Sequence, residues 1–262
     1  KPIPEELTRY PHHLLDCKDP CERYSVNEFK NDVERVSVQI YRENRVPILV
    51  GGSMMYFNSL ENPLNEMPES TTEARQNVKK DLVSYGLDGL YKKLSEIDPI
   101  IVKKIKGTDK QRIMRALEVY YITGKPLSFY HKPKMKPDTN YKLLKIALIP
   151  SDRALLNSII EVRVNDMLKN GFIEEVESLI KNNPSLDLTY PALRSVGYKQ
   201  VYEHIIGIIS FDDLTEKIVI ATRQLAKRQM TWIRGMDDLL MIDPFDKTFD
   251  IKIINSVRKF LE

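Results

Sequence analysis

Four short clusters carry residue types able to do chemistry. The first is Gly51–Gly52–Ser53, which directly follows the apolar run Ile48–Leu49–Val50. Two glycines let a backbone approach a ligand closely or adopt positive φ. Ser53 would then stand at a helix N-terminus, where N–H groups favour an anion or a polar ligand. An ordinary tight strand-to-helix turn fits the same string. The second cluster is Arg223, Lys227, Thr231 and Arg234, at i, i+4, i+8 and i+11. At helical pitch they share one narrow face. Like charges four apart destabilise a helix slightly, so an anionic partner would explain the stripe; a solvated basic face is the plainer reading. Leu225, Ala226 and Trp232 flank the stripe with apolar surface. Third, Gln111, Arg112 and Arg115 open a helix just after Lys103, Lys104, Lys106 and Lys110. Cations there oppose the helix dipole, and the planar forks of Arg112 and Arg115 suit bidentate phosphate recognition. Fourth, "RSVGYKQ" joins Arg194, Gly197, Tyr198 and Lys199. It combines stacking with phosphate contact, as single-stranded nucleic acid requires, or else starts a helix at a glycine. No Ser-His-Asp arrangement stands out, and Glu174–Glu175 lie on a helix that reads as structural.

These clusters need a scaffold. Ser25 followed by Glu28 has capping-box spacing. Val26, Phe29, Val33, Val36 and Ile40 then recur at steps of three and four, one helical face ending near Asn44. A strand is predicted over Val46–Val50. Helix, buried strand, glycine turn and helix are the grammar of a parallel α/β sheet. After Met67 the texture becomes wholly helical to about Tyr141. One helix ends at Gly86, and two short ones follow. A clearer helix is capped by Thr108 or Asp109, places Ile113, Leu117 and Tyr120 on one face, and stops at Gly124–Pro126. "HKPKMKPDTN" reads as a basic, proline-broken connection. Strands return in "YKLLKIALIP" and "DLLMID", with long helices between them. The predicted organisation is an α/β core over 1–66 and 141–262, with an all-helical insertion over 67–140.

Composition narrows the function less than the clusters do. The 262 residues carry 40 Lys+Arg against 37 Asp+Glu, a net charge of +3, so a nucleic-acid argument must come from local clusters. Cys17 and Cys21 build no disulfide framework. Zinc wants about four ligands, and His12 and His13 are not at a finger spacing. No run approaches the roughly 20 apolar residues of a membrane span, and no signal peptide opens the chain.

Taken together, "PHHLLD", "YSVNEF", "PILVGGSMMYF", "DKQRIMRALEVYYITGKPLS", "RSVGYKQ" and "ATRQLAKRQMTWIRG" resemble the tRNA dimethylallyltransferase family, in its order and spacing, from Lys1 to about Gly235. The resemblance implies a helix-rich, P-loop NTPase-like α/β core with a parallel sheet, and a helical insertion that clasps the tRNA anticodon stem-loop. It implies transfer of a dimethylallyl group from dimethylallyl diphosphate to N6 of adenine at position 37, with Mg²⁺ assisting diphosphate release. It further implies a cytoplasmic monomer with no membrane partner. By motif, Ser53 stands where the family usually has Thr, contacting the target nucleotide, and Ser53 and Arg223 take the catalytic positions. Arg75, the segment Gln111, Arg112, Ile113, Met114 and Arg115, and the segment Arg194, Ser195, Val196, Gly197, Tyr198 and Lys199 would bind tRNA. Gly51, Gly52, Arg223, Lys227 and Arg228 would face the diphosphate. The family's opening strand, P-loop and DS-type motif, whose Asp is its general base, are expected upstream of residue 1. A tRNA-binding fragment without activity is therefore one alternative. An isopentenyltransferase acting on free AMP or ADP is another, against which the helical insertion and basic segments argue. A kinase-like phosphotransferase would need a lid arginine pattern that is not found.

Overall fold

The computed structural model describes residues 3–62, 67–131 and 141–262, which divide into two compact units: Lys1–Leu60 with Thr139–Glu262, and Glu61–Asp138. The boundaries anticipated at 66/67 and 140/141, and nearly all of "HKPKMKPDTN", lie outside the described residues.

The first unit opens with α1 (Pro4–Arg9), α2 (Val26–Arg42) and α3 (Met54–Glu61). The capping box begins α2 as its spacing requires: Ser25 Oγ accepts from Glu28 N, and Glu28 accepts from Ser25 N at 2.7 Å. Asn44 closes that helix with φ +57°, a conformation asparagine tolerates. The segment Val46–Val50 is not a strand. A strand is a property of a pair, and among the described residues none bonds to this one. Ile48 and Val50 are accordingly 83% and 90% exposed.

The second unit is helical. It contains α4 (Thr72–Ile97), α5 (Pro99–Val102), α6 (Lys110–Thr123) and α7 (Leu127–Tyr130). Gly86, at φ +65° and ψ −176°, breaks α4 into the two helices anticipated around it. Asp98 ends α4 and starts α5. Its buried carboxylate accepts from Ile101 N at 3.0 Å and from Ser128 N at 2.7 Å. Asp109 caps α6, and Gly124 ends it in the left-handed region. Ile113 and Leu117 are buried on α6 as expected. Tyr120 is only half-buried, and Ala116 and Val119 complete the face against Val78, Leu90 and Leu94 of α4. Lys93 donates to Asp81 at 2.8 Å, and Tyr121 bonds both, tying the two halves of α4 to α6.

The first unit then resumes with β1 (Lys145–Leu148), α8 (Arg153–Lys169), α9 (Phe172–Asn182), α10 (Tyr198–Ile205), α11 (Phe211–Ile233), β2 (Leu239–Ile242) and α12 (Phe249–Leu261). β1 and β2 pair in parallel, with Ile146 opposite Leu240. A parallel pair demands a long crossover, and α8 to α11 supply it. Those helices bury their own core: Ile160 and Val164 of α8, Phe172 and Val176 of α9, Val201 of α10, Leu214 and Ile218 of α11. The predicted class holds: a helix-rich α/β fold with a parallel sheet.

Candidate functional site: a glycine corner against a cationic helix

Ser53 initiates α3 with its backbone, its carbonyl accepting from Tyr56 N at 2.8 Å. Its side chain is exposed. Behind the corner, Tyr56 stacks on Phe29 with ring centroids 4.5 Å apart, and Tyr24 meets both edge-on. Tyr56 donates to Tyr24 O at 3.0 Å, and Tyr24 donates to Asp32 at 2.8 Å. Burial, then the Asp32 carboxylate, push the Tyr24 hydroxyl well above its usual range. This aromatic cluster anchors α3 to α2.

In front of the corner stands α11. Gln229 Nε2 donates to the Gly52 carbonyl at 3.0 Å. A Cβ on Gly52 would lie 2.2 Å from that nitrogen, so only glycine leaves the amide its place. Gly51 has ordinary room, its nearest neighbour being the Phe57 ring at 3.6 Å. The close approach that Gly52 permits is thus filled by the chain itself.

Arg223 lies on α11 six residues before Gln229, about 9 Å along the axis at helical rise. It is half-buried, and its guanidinium is paired with Glu161 of α8. Its Nε is buried without a hydrogen-bond partner among the described residues. Part of the anticipated stripe is therefore neutralised internally. Lys227, Arg228, Thr231 and Arg234 are exposed, and Thr231 Oγ1 donates back to the Lys227 carbonyl at 3.0 Å. Trp232 is 44% exposed beside them.

The segment 194–199 resolves into two roles. Gly197 is buried and starts α10 at φ +92°, with the Phe172 ring 3.1 Å from where a Cβ would stand. Its N–H donates to Gln200 Oε1 at 2.9 Å. The glycine's place is thus structural. Val196 is half-buried. Arg194, Ser195 and Lys199 are exposed, and Lys199 pairs with Glu203 at 3.5 Å. Tyr198 packs edge-on to Phe172 and donates to Glu175 of α9. Burial, reinforced by the Glu175 carboxylate, pushes its hydroxyl up to about 12. Ser195 and Tyr198 line a cleft of about 630 Å³ together with Tyr24, Tyr56, Glu175 and Lys18. The anchoring aromatics and the 194–199 segment thus meet at one concavity.

In the helical unit the anticipated cations also separate. Arg75 Nε donates to Ser70 Oγ and its Nη2 to Ser70 O, both at 2.9 Å. Ser70 Oγ donates to Glu118 at 2.6 Å. Arg115 Nη2 donates to Pro68 O at 2.6 Å, and its Nη1 lies 3.7 Å from Glu118. Arg75 and Arg115 therefore hold the 68–70 segment against α4 and α6. Ile113 is fully buried and Met114 packs against the same core, so the Ile113 side chain is core and offers no nucleic-acid contact. Gln111 and Arg112 face outward, with Arg112 69% exposed and 3.4 Å from Asp109.

Sequence reasoning missed Gln229, Glu161, Ser70 and Glu118. Gln229 lies inside a motif singled out for its cations but carries no charge. Glu161 sits in a helix with nothing to mark it. Among the described residues no group of three or more His, Cys, Asp or Glu is placed to hold a metal, and no helix is long and apolar enough to cross a membrane.

Relatives of the chain share this architecture. The family model described as IPP transferase matches residues 1–236. The tRNA dimethylallyltransferase of Legionella pneumophila strain Paris is 42% identical over 263 residues, spanning 100% of this chain and 83% of that protein. The enzyme of the same name from Neisseria gonorrhoeae strain FA 1090 is 41% identical over 261 residues, 99% of this chain and 83% of that one. Among solved structures, a full-length tRNA isopentenylpyrophosphate transferase from Bacillus halodurans superposes with a TM-score of 0.66 at 29% identity, covering 100% of this chain and 82% of that one. A eukaryotic dimethylallyltransferase acting on tRNA superposes with a TM-score of 0.77 at 26% identity, covering 100% and 68%. Matched along nearly its whole length in sequence and along all of it in fold, the chain belongs to the IPP transferase family.

Proposed function

We propose that the protein is a tRNA prenyltransferase that moves a dimethylallyl group from dimethylallyl diphosphate to N6 of adenine 37 in the anticodon loop, releasing diphosphate. One observation carries the reading beyond family membership. The Gly51–Ser53 corner is locked onto α11, the helix that bears Arg223, Lys227 and Arg228. In this reading the bond joins the corner that offers a hydroxyl to the acceptor nucleotide to the helix that offers cations to the departing diphosphate.

The chemistry sets what the site must do. The N6 lone pair is delocalised into the purine ring, so the amine is a poor nucleophile and must be held close to C1 of the donor. The N–C bond forms as the C1–O bond breaks, and the bonding pair leaves with the diphosphate. Negative charge grows on that oxygen, where a preorganised guanidinium is most effective. Arg223 takes this role in this reading, with Glu161 of α8 orienting its guanidinium and sharing it with the incoming diphosphate. The adenine must leave its stack, which costs a few kcal/mol and least in a single-stranded loop. Gln111, Arg112, Arg194 and Lys199, all exposed, supply backbone contacts in this reading. Arg75 and Arg115 act behind them by shaping the 68–70 segment.

Mg²⁺ typically binds substrate phosphates with one or two carboxylates and several waters. The described residues offer no protein-built cage for it. In this reading it would enter with the diphosphate.

The full-length protein, given labelled dimethylallyl diphosphate, should prenylate an anticodon stem-loop and leave AMP unmodified. Arg223→Ala should lower turnover far more than tRNA affinity. Preferential transfer to AMP would replace this reading with a free-nucleotide transferase, and unchanged turnover would remove Arg223 from its role.

A further inference from the structure

We propose that Gln229 is a positioning residue for the transfer: its side-chain amide clamps the Gly52 carbonyl and so fixes Ser53 relative to α11. The inference rests on the transferase reading above.

Geometry carries it. The hydrogen bond is 3.0 Å between groups 177 residues apart, joining a corner near one end of the chain to a helix near the other. A carbonyl can only accept, so the amide must present its NH₂ group to Gly52. The space is equally specific, since a Cβ at 52 would stand 2.2 Å from Gln229 Nε2, whereas one at 51 would meet nothing closer than 3.6 Å. A side chain at 52 would thus have to displace the Gln229 amide from this contact.

The corner depends on it. The corner itself is exposed. Ser53 is held from behind by the first turn of α3 and the Tyr56–Phe29 stack. Gln229 is the hold from the front. With it gone, the corner can swing about the start of α3 while both units keep their cores. A misplacement of about 1 Å at reacting groups can cost about a hundredfold in rate. One exposed hydrogen bond contributes little to global stability, so the melting temperature should fall by no more than about 2–4 °C.

The test uses the full-length enzyme with an anticodon stem-loop and dimethylallyl diphosphate. Gln229→Ala should lose about tenfold to a hundredfold in kcat, with both KM values within about twofold of wild type. Gln229→Glu keeps the shape but cannot donate when ionised, and should lose as much. Gly52→Ala should be impaired because its methyl collides with the amide. The double variant Gly52→Ala/Gln229→Ala should be no worse than Gln229→Ala alone, since both remove the same contact. Wild-type kcat in Gln229→Ala or Gln229→Glu overturns the proposal. So does an activity loss accounted for by unfolding at the assay temperature. A wild type that transfers nothing to the stem-loop overturns the transferase reading, and this role with it. A wild type that transfers normally while Gln229→Ala matches it overturns this role alone.

Discussion

Arg112 and Arg115 lie three residues apart on α6, yet their alanine variants should fail in different ways. Arg115 is 34% exposed at its side chain, and its neighbour Glu118 only 12%. Truncating Arg115 removes the 2.6 Å bond to the Pro68 carbonyl and the cation beside Glu118. Glu118 keeps its bond from Ser70, so it is not stranded. A hydrogen bond from a charged donor contributes about 1.5–3 kcal/mol. Discounting for the exposed third of Arg115 leaves about 2 kcal/mol, a fall in melting temperature of about 4–8 °C. Arg112 is 69% exposed and its side chain is ion-paired among the described residues with Asp109, so its removal should change stability by less than about 0.5 kcal/mol. Binding should show the reverse pattern. Losing one phosphate contact lowers the slope of log K against log salt by about 0.7–0.9. Arg112→Ala should show that drop; Arg115→Ala should not, once corrected for folded fraction. Thermal unfolding by circular dichroism and tRNA titrations at several salt concentrations measure both. An unchanged melt for Arg115→Ala refutes the internal clamp. An unchanged salt slope for Arg112→Ala refutes its phosphate contact.

Two further outcomes follow from the same coordinates. Tyr198 should titrate late in an ultraviolet difference titration, near 12 against 10.0 for an unperturbed tyrosine, and Glu175→Gln should bring it earlier. Its neutral form is the one the fold favours, so its contribution to stability is complete below pH 10 and is lost as pH rises toward 12; a Tyr198→Phe variant should lack that loss. Ile113→Ala should cost about 2–5 kcal/mol, as for other buried aliphatic truncations. Isolated loss of tRNA binding with an intact denaturation midpoint would return Ile113 to the interface.

Several boundaries decided within about one helical turn were legible in the chain. Ser25 and Glu28, Asp109 and Gly124, and Gly86 mark their helix boundaries because a cap and the groups it satisfies lie three or four residues apart. The motifs that mark the family were legible in the same way, as ordered local strings. What those residues touch was not. Arg223 meets Glu161 across 62 residues, Arg115 meets Pro68 across 47, and Gln229 meets Gly52 across 177. A cationic stripe in a sequence looks the same whether an anion, a carboxylate or water neutralises it. Val46–Val50 has a strand's composition but no partner to bond among the described residues, because side chains can favour an extended backbone while only a neighbouring strand makes a ladder. The tertiary fold alone decided which arginines stay exposed, which pair within the scaffold, and what stands against residue 52.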